Sequence, residues 1–305
     1  MMDIVGLLLP VFTVVAIGRA VVRLGLMETA AVRGINDLTY WIALPALLFD
    51  AIAAGQMPHL FGIASVYLCG CLFAYGLAFL LARALLHARL SRAAAFALSA
   101  TYGSAIYFGV PIISAAFGAS GLALILPIIA LHSGVLLPLA SVLIEYGNQN
   151  GSNAVLCNTL RGLLRNPIVV SIVLGFLWHI GGAPVPAPAH ALLGLLGQAA
   201  PPLALFCVGA SLPPVASGSA GEAAFAAAFK LTVLPALIGG LALVAGLSGL
   251  PVKVALVTAA MPTGANAFLV ARRAAAFADT AARTVVITLI AALPILSGLL
   301  FGLGR

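Results

Sequence analysis

Two short stretches hold most of the polar chemistry of an otherwise apolar chain: ATYGSAIYFGVPII at 100–113 and TAAMPTGANAFLVARR at 258–273. The first gathers Gly103, Ser104, Tyr107, Gly109 and Pro111, the second Pro262, Thr263, Gly264 and Asn266. Proline removes a backbone donor and clashes with the carbonyl four residues earlier, and glycine in a helix costs about 1 kcal/mol relative to alanine. Each stretch therefore breaks the helix that its flanks favour. A break creates a new helix N-terminus, whose free N–H groups and dipole favour an anion. If the two breaks cross, two such termini can face one carboxylate or dicarboxylate, with Ser104, Tyr107, Thr263 and Asn266 adding side-chain donors. Such a site releases its anion readily because no full positive charge is buried against it. The competing reading is a pair of kinks that only shape packing, since both residues are frequent in membrane helices.

Three ionisable residues inside apolar segments are candidates for coupling, because an ionisable group in a span is a functional hypothesis by default. Asp50 sits about one turn from the end of its segment, where solvation is an alternative. His132 is central and titratable near neutral pH, with a hydrogen-bonded packing role as the alternative. Lys230 lies about two turns in, and its stem could carry the charge to the headgroups. The four cysteines, Cys69, Cys71, Cys157 and Cys207, show no metal-ligand or redox spacing. The chain has no HExxH, no GxGD and no paired intramembrane aspartates, so the expectation is that it is not an enzyme, and no cofactor is implied.

The elements that carry these residues must lie in a bilayer. The 305 residues are 63% hydrophobic and 7% charged, with a mean hydropathy of +1.21, against about 25% charged in soluble domains. The net charge of +7 forms no aromatic-interleaved basic stripe, so nucleic acid is not an expected partner. A helical span needs about 20 apolar residues, which predicts ten spans at 3–24, 30–53, 60–83, 91–117, 121–145, 166–182, 189–213, 222–247, 251–273 and 280–303. Residues 146–165 form a central cytoplasmic linker between a first five-helix unit, 1–145, and a second, 166–305. The first apolar stretch follows Asp3 rather than a basic region and reads as a retained span. With the N-terminus outside, only Lys253 and Arg305 fall outside, and the other basic residues lie on the inner side, as cytoplasmic enrichment requires. Both termini are expected outside, in a multi-pass protein of the cell's inner membrane.

The halves also resemble each other. Pro10 and Gly18 match Pro167 and Gly175 at an offset of 157 residues, and PALLF at 45–49 falls on PLALF at 202–206 at the same offset. PLAS at 138–141 meets PILS at 294–297 at 156. Five spans are odd in number, so the second copy enters from the opposite face, an inverted repeat of the kind found in secondary transporters. Spans four and nine then correspond, and they are the two broken ones. Unwound backbone at that depth must be buried in protein or line a wet cavity.

Several runs resemble the auxin efflux carrier family, the PIN-like transporters, within the wider group that includes bile acid–sodium symporters. They are LPVF near Pro10, YWIALPALLFDAIA at 40–53, FGVPI at 108–112, NPIVVSIVLG at 166–175, PPLALFCVGASL at 201–212 and MPTGANAFLVA at 261–271. The last is most similar to bacterial members described as malonate transporters. The resemblance implies two inverted five-helix repeats with helices four and nine crossing beside the substrate, and an elevator-like motion that carries organic anions. It also implies a homodimer built on a static scaffold. Family members often carry Asn seven residues before the proline of helix four; here that position is Ser104, and Asn266 is the amide available. The expectation is a secondary carrier of a malonate-like dicarboxylate or another carboxylate. The alternative is a sodium- or proton-coupled carrier of a larger amphipathic acid, and a receptor or structural protein is the reading outside transport.

Overall fold

The computed structural model describes residues 2–54, 60–148, 165–212, 218–273 and 277–304. Most of the expected linker, with Cys157, lies outside the described residues. The described chain is helical: α1 Met2–Arg23, α2 Thr29–Leu38, α3 Leu44–Ala53, α4 Leu60–Leu85, α5 Leu90–Thr101 and α6 Val110–Gly147. It continues with α7 Pro167–Ile180, α8 Ala187–Ala210, α9 Ala220–Ala228, α10 Leu234–Val244, α11 Leu250–Ala259, α12 Ala265–Arg273 and α13 Ala278–Gly302. Among the described residues, seven helical stretches are long and apolar enough to cross a membrane, and Pro167–Ile180 and Leu250–Ala259 are shorter apolar helices. The protein is a multi-pass, all-helical membrane protein. The longest stretch, Ala105–Gly147, turns at Gly118, whose φ of 62° and ψ of −154° suit glycine alone. That turn separates the fourth and fifth expected spans within one helical run.

Three π turns interrupt the helices, at Thr39–Ala43, Ala105–Gly109 and Phe229–Val233. Each precedes a proline one residue into the next helix: Pro45, Pro111 and Pro235. A proline ring clashes with the carbonyl four residues back, and widening the turn to i→i−5 bonding relieves the clash. The bonds Leu44 N–H to Thr39 O, Val110 to Ala105 and Leu234 to Phe229 are of this wider kind.

The helices sort into two packing groups. In one, α1 packs on α8, and α3 packs on both α7 and α8. In the other, α4, α5 and α6 pack together and against α10 and α11, while α13 packs on α9 and α12. Small residues allow the close approaches within the first group. A Cβ on Gly18 would lie 2.2 Å from the Phe206 carbonyl oxygen, and one on Gly175 would lie 3.2 Å from that of Phe49. The two groups meet where α1, α3, α7 and α8 touch α6, α13 and the π turn at 105–109.

Arginines mark one end of the molecule. Arg19 donates to the Leu212 carbonyl at the close of α8, and Arg92 at the start of α5 pairs with Glu222 at the start of α9. At the other end Asp50 meets His190 at 2.6 Å, and Lys253 donates to the Leu303 carbonyl.

Candidate functional site

The two broken stretches meet. Helix α5 stops at Thr101, where Tyr102 turns extended (φ −80°, ψ 107°), and α11 stops at Ala259. Gly103 and Thr263 then face each other as an isolated antiparallel bridge. Ser104 N–H donates to the Pro262 carbonyl and Gly264 N–H to the Tyr102 carbonyl, both at 2.9 Å. Unwound backbone deep in an apolar protein needs internal partners, and each break supplies the other's. This alters the expected chemistry: the N–H groups of Ser104 and Gly264 serve the bridge rather than a ligand. Thr263 is committed as well. Its N–H donates to Thr288 Oγ1 at 3.0 Å and its hydroxyl to the Ser99 carbonyl at 2.9 Å.

Beyond the bridge the chain winds up again in both strands of the crossing. Phe108 and Gly109 N–H donate to the Ser104 carbonyl, and Ala267 N–H to that of Gly264. The residues before them, Ala105 to Tyr107 on one side and Ala265 and Asn266 on the other, therefore open two helices. Their N–H groups precede the first intrahelical bonds. All five line one cavity.

That cavity has a volume of about 610 Å³ and lies between the two packing groups. Tyr102, Gly103, Ser104, Tyr107, Pro262, Thr263, Gly264 and Asn266 form its deep wall, and Ser133, Val285 and Leu289 add to that side. The opposite wall comes from α2, its π turn, α7 and α8, through Asn36, Tyr40, Asn166, Cys207 and Ser211. Arg33 and Asp37 stand towards the arginine-rich end. Asn166 also caps α7, accepting from Ile168 N–H at 3.0 Å, so the cavity wall and the helix start are set by one residue.

Asn266 reaches Tyr102 Oη at 3.5 Å, Tyr102 Oη meets Ser133 Oγ at 3.1 Å, and the Tyr102 ring stacks on His132 with centroids 4.6 Å apart. Gly264 is required by this stack, because a Cβ there would lie 2.8 Å from the Tyr102 ring. Tyr107 donates to Asn36 Oδ1 at 3.2 Å, a bond from the crossing to the opposite packing group.

The remaining expected residues fall elsewhere. Gly109 and Pro111 are buried in packing and do not line the cavity; a Cβ on Gly109 would press on Ile125. Asp50 lies at the far end against His190, away from the crossing. His132 is fully buried between Tyr102 and Tyr67, behind the cavity wall. The headgroup reading of Lys230 is incorrect: its side chain is fully buried, and Nζ donates to the Ala259 carbonyl at 2.5 Å. Depth counted along the span missed this because the π turn at 229–233 points the side chain at the crossing. Tyr102, Ser133, Asn36 and Thr288 were also missed. Only Tyr102, beside Gly103 in the quoted stretch, carried any sequence signal.

The family model described as "Membrane transport protein" matches residues 3–300. A protein of Rhizobium meliloti (strain 1021) named "Putative malonate transporter" is 25% identical over 99% of this chain and 96% of its own length. "Auxin efflux carrier component 1" of Arabidopsis thaliana is 30% identical over 46% of this chain and 24% of its own length. "Auxin efflux carrier component 2" of Oryza sativa subsp. japonica is 28% identical over the same shares. With nearly the whole chain matched, the protein belongs to the membrane transport protein family of PIN-like auxin efflux carriers, whose members are transporters and not enzymes.

Proposed function

We propose that this protein is a secondary carrier of small organic anions, with the substrate carboxylate held at the cavity face of the crossing. The observation that carries this reading is a cavity between two packing groups, closed at depth by two helix N-termini. Ala105 to Tyr107 and Ala265 to Asn266 offer N–H groups and aligned dipoles to an anion, and Asn266 Nδ2 and the hydroxyls of Ser104 and Tyr107 surround them. Malonate-like dicarboxylates are the first substrates to test, following the name of the relative matched over 96% of its own length.

An elevator motion fits the packing. The group holding the crossing would slide against α1–α3, α7 and α8, carrying the anion past them. The inverted repeat is supported by matching contacts: Gly18 packs on the Phe206 carbonyl, and Gly175 on that of Phe49. Gly18 and Gly175, like Phe49 and Phe206, are 157 positions apart. The arginine-rich end is the cytoplasmic one on the enrichment rule, which makes the cavity inward-facing, both termini external and the location the inner membrane. A scaffold of α1–α3, α7 and α8 also provides the face on which a homodimer would form.

The test is uptake and counterflow of labelled acids in proteoliposomes, with mono- and dicarboxylates in parallel. Saturable flux of at least one carboxylate is expected; a broad panel in which none moves or competes would refute the carrier. A second reading rests on size and lining. About 610 Å³ with Tyr40, Tyr102, Tyr107 and Phe268 in the wall exceeds what a three-carbon diacid needs and suits a larger amphipathic acid. Flux of such acids, and its dependence on a sodium or proton gradient, separates the two.

A further inference from the structure

The crossing has two sides, and only one faces the cavity. Helices α5 and α11 end at it, while the helices opening at Ala105 and Ala265 begin from it. Two C-terminal ends, each carrying partial negative charge, therefore lie back to back with two N-terminal ends carrying partial positive charge. The N-terminal side lines the cavity. Lys230 is on the other side.

Its Nζ donates to the carbonyl of Ala259, the last residue of α11, and a Cβ on Gly103 would lie 3.2 Å from Nζ. Gly103 itself lines the cavity, whereas Lys230 does not. One glycine of backbone thus separates the cation from the cavity. Among the described residues, Cys71 and His132 are the titratable groups within its electrostatic reach, and neither is a carboxylate. Neither the Arg92–Glu222 pair nor the Asp50–His190 contact includes it. A buried charge demands compensation; two helix C-termini supply part of it, and an anion across Gly103 would supply the rest.

We infer that Lys230 is the counter-charge of the transported anion, acting through the backbone of the crossing without touching the substrate. The inference rests on the carrier reading above. Its consequence is selectivity for charge: Lys230 favours a carboxylate over the uncharged amide of the same acid, since only the former gains from a cation behind the wall. Removing the cation leaves the partial negative charge of two helix ends uncompensated behind the crossing. Lys230 is a positioning residue, and its loss reads out in charge discrimination rather than in overall binding.

The experiment uses purified full-length protein in proteoliposomes, with a transported acid and its amide as competitor. Lys230→Met is expected to raise the acid's KM at least tenfold while the amide's inhibition constant changes less than twofold, and Lys230→Arg to restore most of the difference. Lys230→Gln, which retains a donor for the Ala259 carbonyl, should behave as Lys230→Met does, and it serves the same purpose if the methionine variant does not fold. Equal weakening of acid and amide, or an unchanged KM in both neutral variants, overturns the inference while the carrier reading stands. Wild-type protein that moves no carboxylate overturns both.

Discussion

At the residue scale, the site divides into groups that build the crossing and groups free to meet a ligand. Thr263, Ser104 N–H and Gly264 N–H are spent on construction, whereas Asn266 makes one long contact, 3.5 Å to Tyr102. Asn266→Ala should therefore weaken carboxylate binding about tenfold, the value of one charge-assisted hydrogen bond, and shift the thermal midpoint by no more than about 2 °C. Parallel binding and melting measurements check this; equal loss of both would favour a packing role. Gly264→Ala should cost stability as well as transport. A methyl 2.8 Å from a Tyr102 ring held by Ser133 and His132 forces a shift costing about 1–3 kcal/mol. Lowered melting together with lost flux is the expected outcome.

The helix breaks were legible in sequence because proline and glycine act locally, so Pro262, Gly264, Gly103 and Ser104 declare themselves without tertiary context. Their partners did not. Ser133, Thr288 and Asn36 are ordinary polar residues on other helices, brought to the crossing only by packing. Gly109 and Pro111 share the same local signature yet face Ile125 and the buried interior, since the signature marks a break and not its orientation.

At the scale of elements, each of the three π turns leads into a proline, Pro45, Pro111 or Pro235, and each sets a side chain of the candidate site. Tyr40 and Tyr107 are turned to the cavity, and Lys230 to the back of the crossing. Pro235→Ala removes the clash that widens the turn at 229–233 and allows ordinary α winding, which re-aims Lys230. Uptake by this variant should fall several-fold. Pro294→Ala, in a helix that has no π turn, should leave uptake within about twofold of wild type. Similar losses in both would detach the π turn from function.

At the scale of the whole molecule, the proposed elevator motion requires the packing group with the crossing to move against the other, and the Tyr107–Asn36 bond spans that boundary. Cysteines at both positions, joined by a short thiol crosslinker, should abolish counterflow, and cleavage of the linker should restore it. Unchanged flux in the crosslinked protein would rule out sliding at this boundary.

The central claim is that the cavity face of the crossing holds the transported anion. Ser104→Cys, in a Cys207→Ser background that removes the native cavity thiol, places a reporter there. The rate of its alkylation, measured with and without a transported carboxylate, tests the claim most directly. The account predicts labelling slowed at least severalfold by that acid, with half-protection near its KM; labelling indifferent to every acid the protein moves would contradict it.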